Sequence, residues 1–128
     1  RWYRKLTHLL VNSLVKLLTC LRLGLSHLHD HKFKHNFQDC LSPLCDCGRD
    51  VEDIKHFFLH CVNYNLERQT LFDSISDIIP NCLTLDETEL INVILYGNSY
   101  STFYENKMIL QSKIKFFLET KRFEGPLL

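Results

Sequence analysis

The sequence predicts an all-α protein of about five or six helices, interrupted by one loop-rich insertion. Apolar residues recur at three- and four-residue steps over most of its 128 residues. No segment shows the strict alternation of apolar and polar residues that is typical of half-buried strands. Pro43 and Gly48 lie in a stretch without helical periodicity, and they mark the insertion.

The composition is that of one folded domain. Hydrophobic residues make up 45% of the sequence and charged residues 23%, which excludes a disordered tail. The formal net charge is zero, but the first 38 residues carry seven Lys and Arg against one acid, Asp30. This basic first third favours contact with a polyanion.

Two helices are predicted in the basic third. Leucines over residues 6–21 form the apolar stripe of an amphipathic helix that ends near Gly24, a natural left-handed C-terminal position. A second, short helix is expected over residues 26–35, with a polar face rich in His and Lys. Its apolar neighbours are expected to pack inward: Leu28, Phe33 and Phe37.

Two further helices are predicted around and after the insertion. Asp50 and Asp53 are typical capping residues, so a helix is expected from there to about Cys61, after an irregular loop over residues 39–50. Another helix is expected over residues 66–79 and stopped by Pro80. Its inward side is predicted to consist of Leu66, Leu71, Phe72, Ile75, Ile78 and Ile79.

Two helices complete the chain. Thr84 and Glu87 have the spacing of a capping box, which predicts a helix through Leu95 that Gly97 closes. The last helix is expected over residues 102–121. Its apolar side is predicted to contain Tyr104, Met108, Ile109, Ile114, Phe117 and Leu118.

Four side chains of the insertion have the chemistry of metal ligands: Cys45, Cys47, His56 and Cys61. Structural zinc is held by about four Cys or His donors in a tetrahedron, and a loop with two thiolates followed by a helix can supply them. Gly48 lets the chain bend directly after the second thiol. The spacing predicts one structural Zn²⁺ in a zinc-knuckle-like insertion, because four protein ligands leave no open position for a reactive water.

The fourth ligand depends on where the helix ends. His56 and His60 share one face of an ideal helix, whereas Cys61 lies about 140° around from His56 at 3.6 residues per turn. Cys61 therefore ligates only if the helix breaks there, which the poor helix formers of residues 62–65 favour. We prefer Cys61, since a thiolate is the stronger zinc donor, and keep His60 as its substitute.

The remaining cysteines and histidines have simpler interpretations. Cys20, Cys40 and Cys82 are expected to be small core residues, with Cys40 close enough to the loop to be a spare ligand. His31 and His35 have helical spacing, which suggests a second metal site. A solvated polar face explains the same spacing, as does a phosphate-contacting face.

The cysteine and histidine spacing occurs within a longer pattern that resembles the zinc-binding region of non-long-terminal-repeat (LINE-type) retrotransposon reverse transcriptases. A Cys-x-Cys-Gly loop precedes an acid, a His-x4-Cys pair and an Arg, and residues 21–27 look like the family's approach to the loop. The matching residues are Leu44, Cys45, Cys47, Gly48, Glu52, His56, Phe57, Leu59, Cys61, Tyr64 and Arg68.

The resemblance implies a non-catalytic C-terminal fragment that follows the polymerase domains of the same polypeptide. It implies Zn²⁺ on Cys45, Cys47, His56 and Cys61, and a role in holding template RNA or target DNA. Residues 1–38 are then a basic lead-in continuous with a polymerase thumb, residues 39–65 the zinc-binding loop and helix, and residues 66–128 a C-terminal helical bundle. Candidate phosphate contacts are Arg22, Lys32, Lys34, Arg49, Lys55 and Arg68.

Two alternatives remain at the level of sequence. The zinc can close a helical protein-interaction module that touches no nucleic acid, or the cysteines can be inert in a metal-free bundle. The start at Arg1 leads us to expect a piece of a larger protein. We expect it inside the cell and not secreted, with no membrane partner and no small-molecule substrate, because neither a signal peptide nor a catalytic motif is visible.

Overall fold

The computed structural model describes Lys16, residues 18–20 and residues 28–122, and these are helical and connected by turns. Within this part of the chain the all-α prediction is confirmed: its only β-pairing is an isolated antiparallel bridge between Leu44 and Val51. Lys16 and residues 18–20 are helical, and the rest of the first predicted helix, with Arg22, lies outside the described residues. The α-helices after residue 28 are α1 (His29–Lys34), α2 (Asn65–Ile78), α3 (Glu87–Tyr96) and α4 (Phe103–Thr120).

Four phenylalanine rings join the metal-site region to the last helix. Phe57 and Phe58 lie in a short π-helical turn, His56–His60, and are fully buried. Their ring centroids are 5.3 and 5.6 Å from that of Phe116, and Phe117 packs beside them. Burial of such rings is worth several kcal/mol each, so α4 holds the turn in place.

One hydrophobic cluster joins Leu28 to residues of the π-helical turn and of the C-terminal helices. It contains residues from the basic lead-in, the insertion and the C-terminal helices, so these three predicted segments share a core. No helix among the described residues is both long and apolar enough to cross a bilayer. The buried cluster comprises Leu28, Phe57, Phe58, Leu71, Ile75, Ile79, Cys82, Leu90, Ile91, Ile94, Leu95, Ile109, Phe116 and Phe117.

Some residues that were predicted to face inward, in the helices over residues 26–35 and 66–79, are exposed instead. Leu66 is 78% exposed because it lies in the first turn of α2, on the side away from the core. Leu28 is buried as predicted, whereas Phe33 and Phe37 are exposed. Helix α1 is only six residues long and has no buried residue, so Phe33 lies at the surface, and Phe37 lies in the turn region that follows the helix.

The predicted cap of α3 is wrong, and α4 begins with a capping box that was not predicted. Residues 82–84 form a 3₁₀ turn, and Asp86 begins α3 by accepting a hydrogen bond from the Glu89 N–H at 2.8 Å. The capping box is instead at α4, where Thr102 and Glu105 each accept from the other's backbone N–H. Both sites match the same short pattern, so only the folded chain distinguishes them.

The buried face of α4 is offset from the predicted one. Tyr104 and Met108 are exposed, whereas Phe116 is buried, because the buried stripe passes through Lys113. The Lys113 ammonium donates to the carbonyls of Ile94 and Leu95 at the C-terminal end of α3. A lysine satisfied in this way belongs to the core, and a purely apolar pattern does not reveal it.

Candidate metal centre

The predicted irregular loop is in fact an ordered hairpin. The Cys45 N–H donates to the Asp50 carbonyl at 2.8 Å, and the Glu52 N–H donates to the Pro43 carbonyl at 2.9 Å. These bonds flank the bridge between Leu44 and Val51 and hold the two arms together. Residues 39–50 contain no helix or strand, as predicted, but Pro and Gly signal a turn without showing which residues pair across it.

A tight turn at the tip of the hairpin positions two thiols. The Gly48 N–H donates to the Cys45 carbonyl at 2.9 Å, and Gly48 has φ of +78°. That left-handed conformation is costly for residues with a side chain. As predicted, the bend after Cys47 turns its sulfur back toward that of Cys45.

The π-helical turn decides whether Cys61 or His60 lies beside the other three candidate donors. The predicted helix begins at Asp53, whose carboxylate accepts from the His56 N–H at 2.8 Å, and not at Asp50. The Cys61 N–H then donates to the His56 carbonyl at 2.7 Å, an i to i−5 bond that widens the turn. Cys61 itself is extended, so the helix ends there and its thiol lies on the same side as the His56 ring.

His60 faces away from the cluster. Its Nε2 lies 2.7 Å from a carboxylate oxygen of Glu87 at the start of α3, and its side chain is half exposed. The imidazole therefore joins the insertion to α3. The structure favours Cys61 over His60 as the fourth member of the site.

The four preferred residues converge. One ligand atom from each of Cys45, Cys47, His56 and Cys61 lies within 4.8 Å of all the others, and this is the one such group among the described residues. The sulfurs of Cys45 and Cys61 are 3.7 Å apart, and the Cys47 sulfur is 3.2 Å from Nε2 of His56. A zinc tetrahedron with bonds near 2.3 and 2.0 Å places two sulfurs about 3.8 Å apart and sulfur and nitrogen about 3.5 Å apart. The cluster could hold a metal ion.

The burial of these donors makes a cation a suitable partner. Burial raises the pKa of Cys45 to about 12 and raises the pKa of Cys61. The pKa of Cys47 is lowered, first because the backbone N–H of Arg49 stabilises its thiolate. The buried Nδ1 of His56 has no hydrogen-bond partner in the described protein. A metal bound by the thiols and by Nε2 of His56 would replace the protons of Cys45 and Cys61 and would leave Nδ1 of His56 as a ring N–H.

Arg68 supports the turn and is not a phosphate contact. Its side chain is 7% exposed. It donates to the carbonyls of Phe58 at 2.8 Å, Phe57 at 3.2 Å and Cys61 at 2.7 Å. These carbonyls lie at the end of the π-helical turn, where backbone acceptors lack partners within the helix. The predicted nucleic-acid role of Arg68 is therefore corrected to a structural one.

The carboxylate of Glu52, which was expected only as the acid of the family pattern, is buried beside the site. Glu52 is 2% exposed and accepts from both Nε and Nη2 of Arg122 and from the His29 N–H. Burial alone would raise the pKa of Glu52, but the Arg122 and His29 hydrogen bonds outweigh it and hold the pKa below its usual value. The Cys45 thiol lies 3.8 Å from the same carboxylate. The separation of 70 residues between Glu52 and Arg122 gave no sequence signal for this pair.

The other cysteines lie outside the cluster. Cys82 is buried in the core, as predicted, near the Ser76 hydroxyl at 3.2 Å. Cys40 is partly buried and donates to the carbonyls of Ser42 and His29, so it is not a spare ligand in this arrangement. Cys20, like Cys40, is only partly buried.

The remaining candidate phosphate contacts differ in their surroundings. Lys32 forms an ion pair with Asp39 at 2.6 Å, and Lys34 forms one with Asp30 at 3.1 Å. Arg49 and Lys55 are exposed and have no ion-pair partner among the described residues. The last candidate, Arg22, lies outside the described part of the chain.

The class of protein that the fold and site define is a small all-α domain with a Cys3His cluster that could hold a metal ion. Comparisons with protein-family models, curated proteins and solved structures find no match to this chain. Assignment beyond this class therefore rests on the residues and on their geometry.

Proposed function

We propose that this chain is the non-catalytic, zinc-binding C-terminal module of a non-long-terminal-repeat retrotransposon reverse transcriptase. It helps to hold template RNA or target DNA while upstream polymerase domains of the same polypeptide copy it. The convergence of Cys45, Cys47, His56 and Cys61 carries this proposal, since these are the ligands that the resemblance implies. The pattern and the geometry support the same four residues.

The donor chemistry supports Zn²⁺ as the metal. Three thiols and one imidazole match the structural Cys3His class, whereas Mg²⁺ and Ca²⁺ prefer oxygen donors. Three of the four residues are buried, and all four positions are protein ligands. Such a closed site stabilises a fold and leaves no place for a substrate, which supports the non-enzymatic assignment.

The exposed cations support the nucleic-acid part of the proposal. Arg49 follows the metal-binding turn, Lys55 precedes the ligand His56, and Lys34 lies on the adjacent helix α1. Phosphate contacts made by such side chains give affinity that falls steeply with salt. The metal would fix the hairpin and the turn that carry two of these cations.

Metal analysis tests the zinc site. We expect about one zinc per chain in protein purified without chelator, and much less in the Cys45→Ser variant. Cys40→Ser is the matched control, because Cys40 lies on the same loop outside the cluster, and it should keep its zinc. Less than half a zinc per wild-type chain after reconstitution would contradict the proposal.

Binding of labelled single-stranded RNA and DNA tests the polynucleotide role. We expect salt-dependent binding to the zinc-loaded chain, and a lower salt slope when Lys34 or Arg49 is changed to Glu. Lys115→Glu, on an exposed part of α4, is the control for a general charge effect. Binding that is absent at low salt, with zinc content and helicity intact, would remove this role.

A second candidate, a protein-interaction module without nucleic-acid contact, has its own support. Four aromatic side chains near the junction of α3 and α4 are exposed: Tyr96, Tyr100, Phe103 and Tyr104. Aromatic residues are enriched in protein interfaces. This candidate predicts that charge reversal at Lys34 and Arg49 changes nothing, whereas the Phe103→Ser variant loses a partner and keeps its fold.

A further inference from the structure

A pocket of about 460 Å³ lies between α1 and the residues that precede the ligand His56. This volume is within the range of about 300–1,000 Å³ that is typical of small-ligand sites. Two candidate phosphate contacts that are 21 positions apart in sequence, Lys34 and Lys55, line the same pocket. The fold thus brings two predicted cations to one concave surface.

Two imidazole rings line the wall of the pocket. His31 and His35 both line it, with ring centroids 4.3 Å apart and ring planes 45° apart. Leu28 and Ile54 contribute apolar surface beside them. Unstacked bases in single-stranded nucleic acids stack on aromatic side chains, including His, so this wall suits a nucleobase.

One of the two lysines that line the pocket has no ion-pair partner among the described residues. Asp30 and Asp53 also line it, but the Asp30 carboxylate is paired with Lys34, and Asp53 accepts from the His56 N–H. Lys55 is exposed and has no carboxylate within ion-pair distance in the described structure. Its ammonium is therefore available to a phosphate in the pocket, which Lys34 also lines.

We propose that this pocket binds one nucleotide of a single-stranded polynucleotide, with the base against His31 and His35 and the phosphate near Lys55 and Lys34. The inference deepens the proposed function and rests on it. It places the contact with the strand at the junction between α1 and the residues before the π-helical turn. The metal site would influence the affinity for the strand by fixing the residues around His56.

The first test uses the zinc-loaded full chain and uridine monophosphate as the probe. We expect the imidazole NMR resonances of His31 and His35 to shift on titration, whereas those of His60, whose ring pairs with Glu87, stay in place. Inorganic phosphate should perturb Lys55 with little change at the rings. Nucleotide-induced shifts that omit His31 and His35 would overturn the pocket assignment.

The second test measures the affinity for labelled oligouridylate. We expect His35→Ala and Lys55→Ala to weaken binding on the order of tenfold each, the scale of losing one stacked base or one phosphate contact. His60→Ala and Lys115→Ala are the controls, and zinc content confirms that each variant is folded.

The outcomes separate the two proposals. Wild-type affinity in both pocket variants would overturn the pocket while the polynucleotide role stands. No oligonucleotide binding by the wild-type chain would overturn the polynucleotide role. If the monophosphate still shifted the two rings in that case, the pocket would be a free-nucleotide site, and its assignment to a strand would fail.

Discussion

The Glu52 carboxylate and the Arg122 guanidinium form a two-point ion pair at 2.6 and 2.9 Å, although the residues are 70 positions apart. Glu52 also accepts the first N–H of α1 from His29, and its own carbonyl accepts from the Asp30 N–H. One buried acid therefore joins the start of α1, the metal-site hairpin and the end of the last helix. The Cys45 thiol next to it makes this junction part of the wall of the metal site.

Replacement of Arg122 by Ala should leave the buried Glu52 carboxylate without its cation. We expect the free energy of unfolding to fall by about 3–5 kcal/mol, the usual result of breaking a buried pair from one side. Urea unfolding monitored by circular dichroism measures it. Lys107→Ala, on the exposed side of α4, should change stability by less than about 0.5 kcal/mol. Equal, small effects of the two variants would contradict the structural role of the pair.

The two histidines of the π-helical turn should behave in opposite ways. His56→Ala removes a donor, so we expect it to lose most of its bound zinc, whereas His60→Ala loses only an exposed contact with Glu87. The second variant should keep its zinc and lose less than about 1 kcal/mol of stability. Metal content and competition with a chromogenic chelator measure the difference. Zinc loss in the His60 variant would show that the ligand assignment is wrong.

Removal of the Arg68 side chain should destabilise the turn without removing a ligand. The Arg68→Met variant keeps much of the volume but leaves the carbonyls of Phe57, Phe58 and Cys61 without their donor. Each unsatisfied buried acceptor costs about 1–3 kcal/mol, so we expect a loss of at least 2 kcal/mol and weaker zinc binding. Gln69→Ala, on the exposed side of α2, is the matched control. A neutral Arg68 variant would contradict this assignment.

Metal loading should release protons at pH 7. The raised pKa values of Cys45 and Cys61 keep both thiols protonated in the metal-free protein, whereas a metal ligand must be the thiolate. We therefore expect at least two protons per zinc, and an affinity that weakens as the pH falls. A pH indicator in weakly buffered solution measures the release. Calcium should release none, and an equal absence of release with zinc would contradict ligation by these two thiols.

The two glycines with positive φ should differ in their tolerance of a methyl group. A Cβ at Gly48 meets nothing within 4 Å, so Gly48→Ala should cost only the backbone strain of about 1–2 kcal/mol. A Cβ at Gly97 comes within 2.8 Å of the Asn106 side chain, so Gly97→Ala should cost more. Thermal unfolding of the two variants compares them. A larger loss at Gly48 would mean that the hairpin tip is more crowded than it is in this structure.

Local spacing was enough to predict the four residues that cluster and could hold a metal ion. The bend after Cys47 and the end of the helix at Cys61 follow from Gly48 and from the poor helix formers at residues 62–65, which act on their immediate neighbours. The same local rules misplaced the cap of α3, since Thr84 and Asp86 both fit the pattern. A capping pattern shows that a helix can begin, and packing decides which of two adjacent starts is used.

The sequence by itself determined the helical class, the turn residues and the four clustered donors, because periodicity and spacing act between residues that are close in the chain. Only the tertiary structure decided which charged groups are buried: Glu52 with Arg122, Arg68 on the turn carbonyls and Lys113 at the end of α3. A charged side chain is stable in the core only where a partner from another segment meets it. Whether such a partner is present depends on how the helices pack, and no local sequence pattern reports that packing.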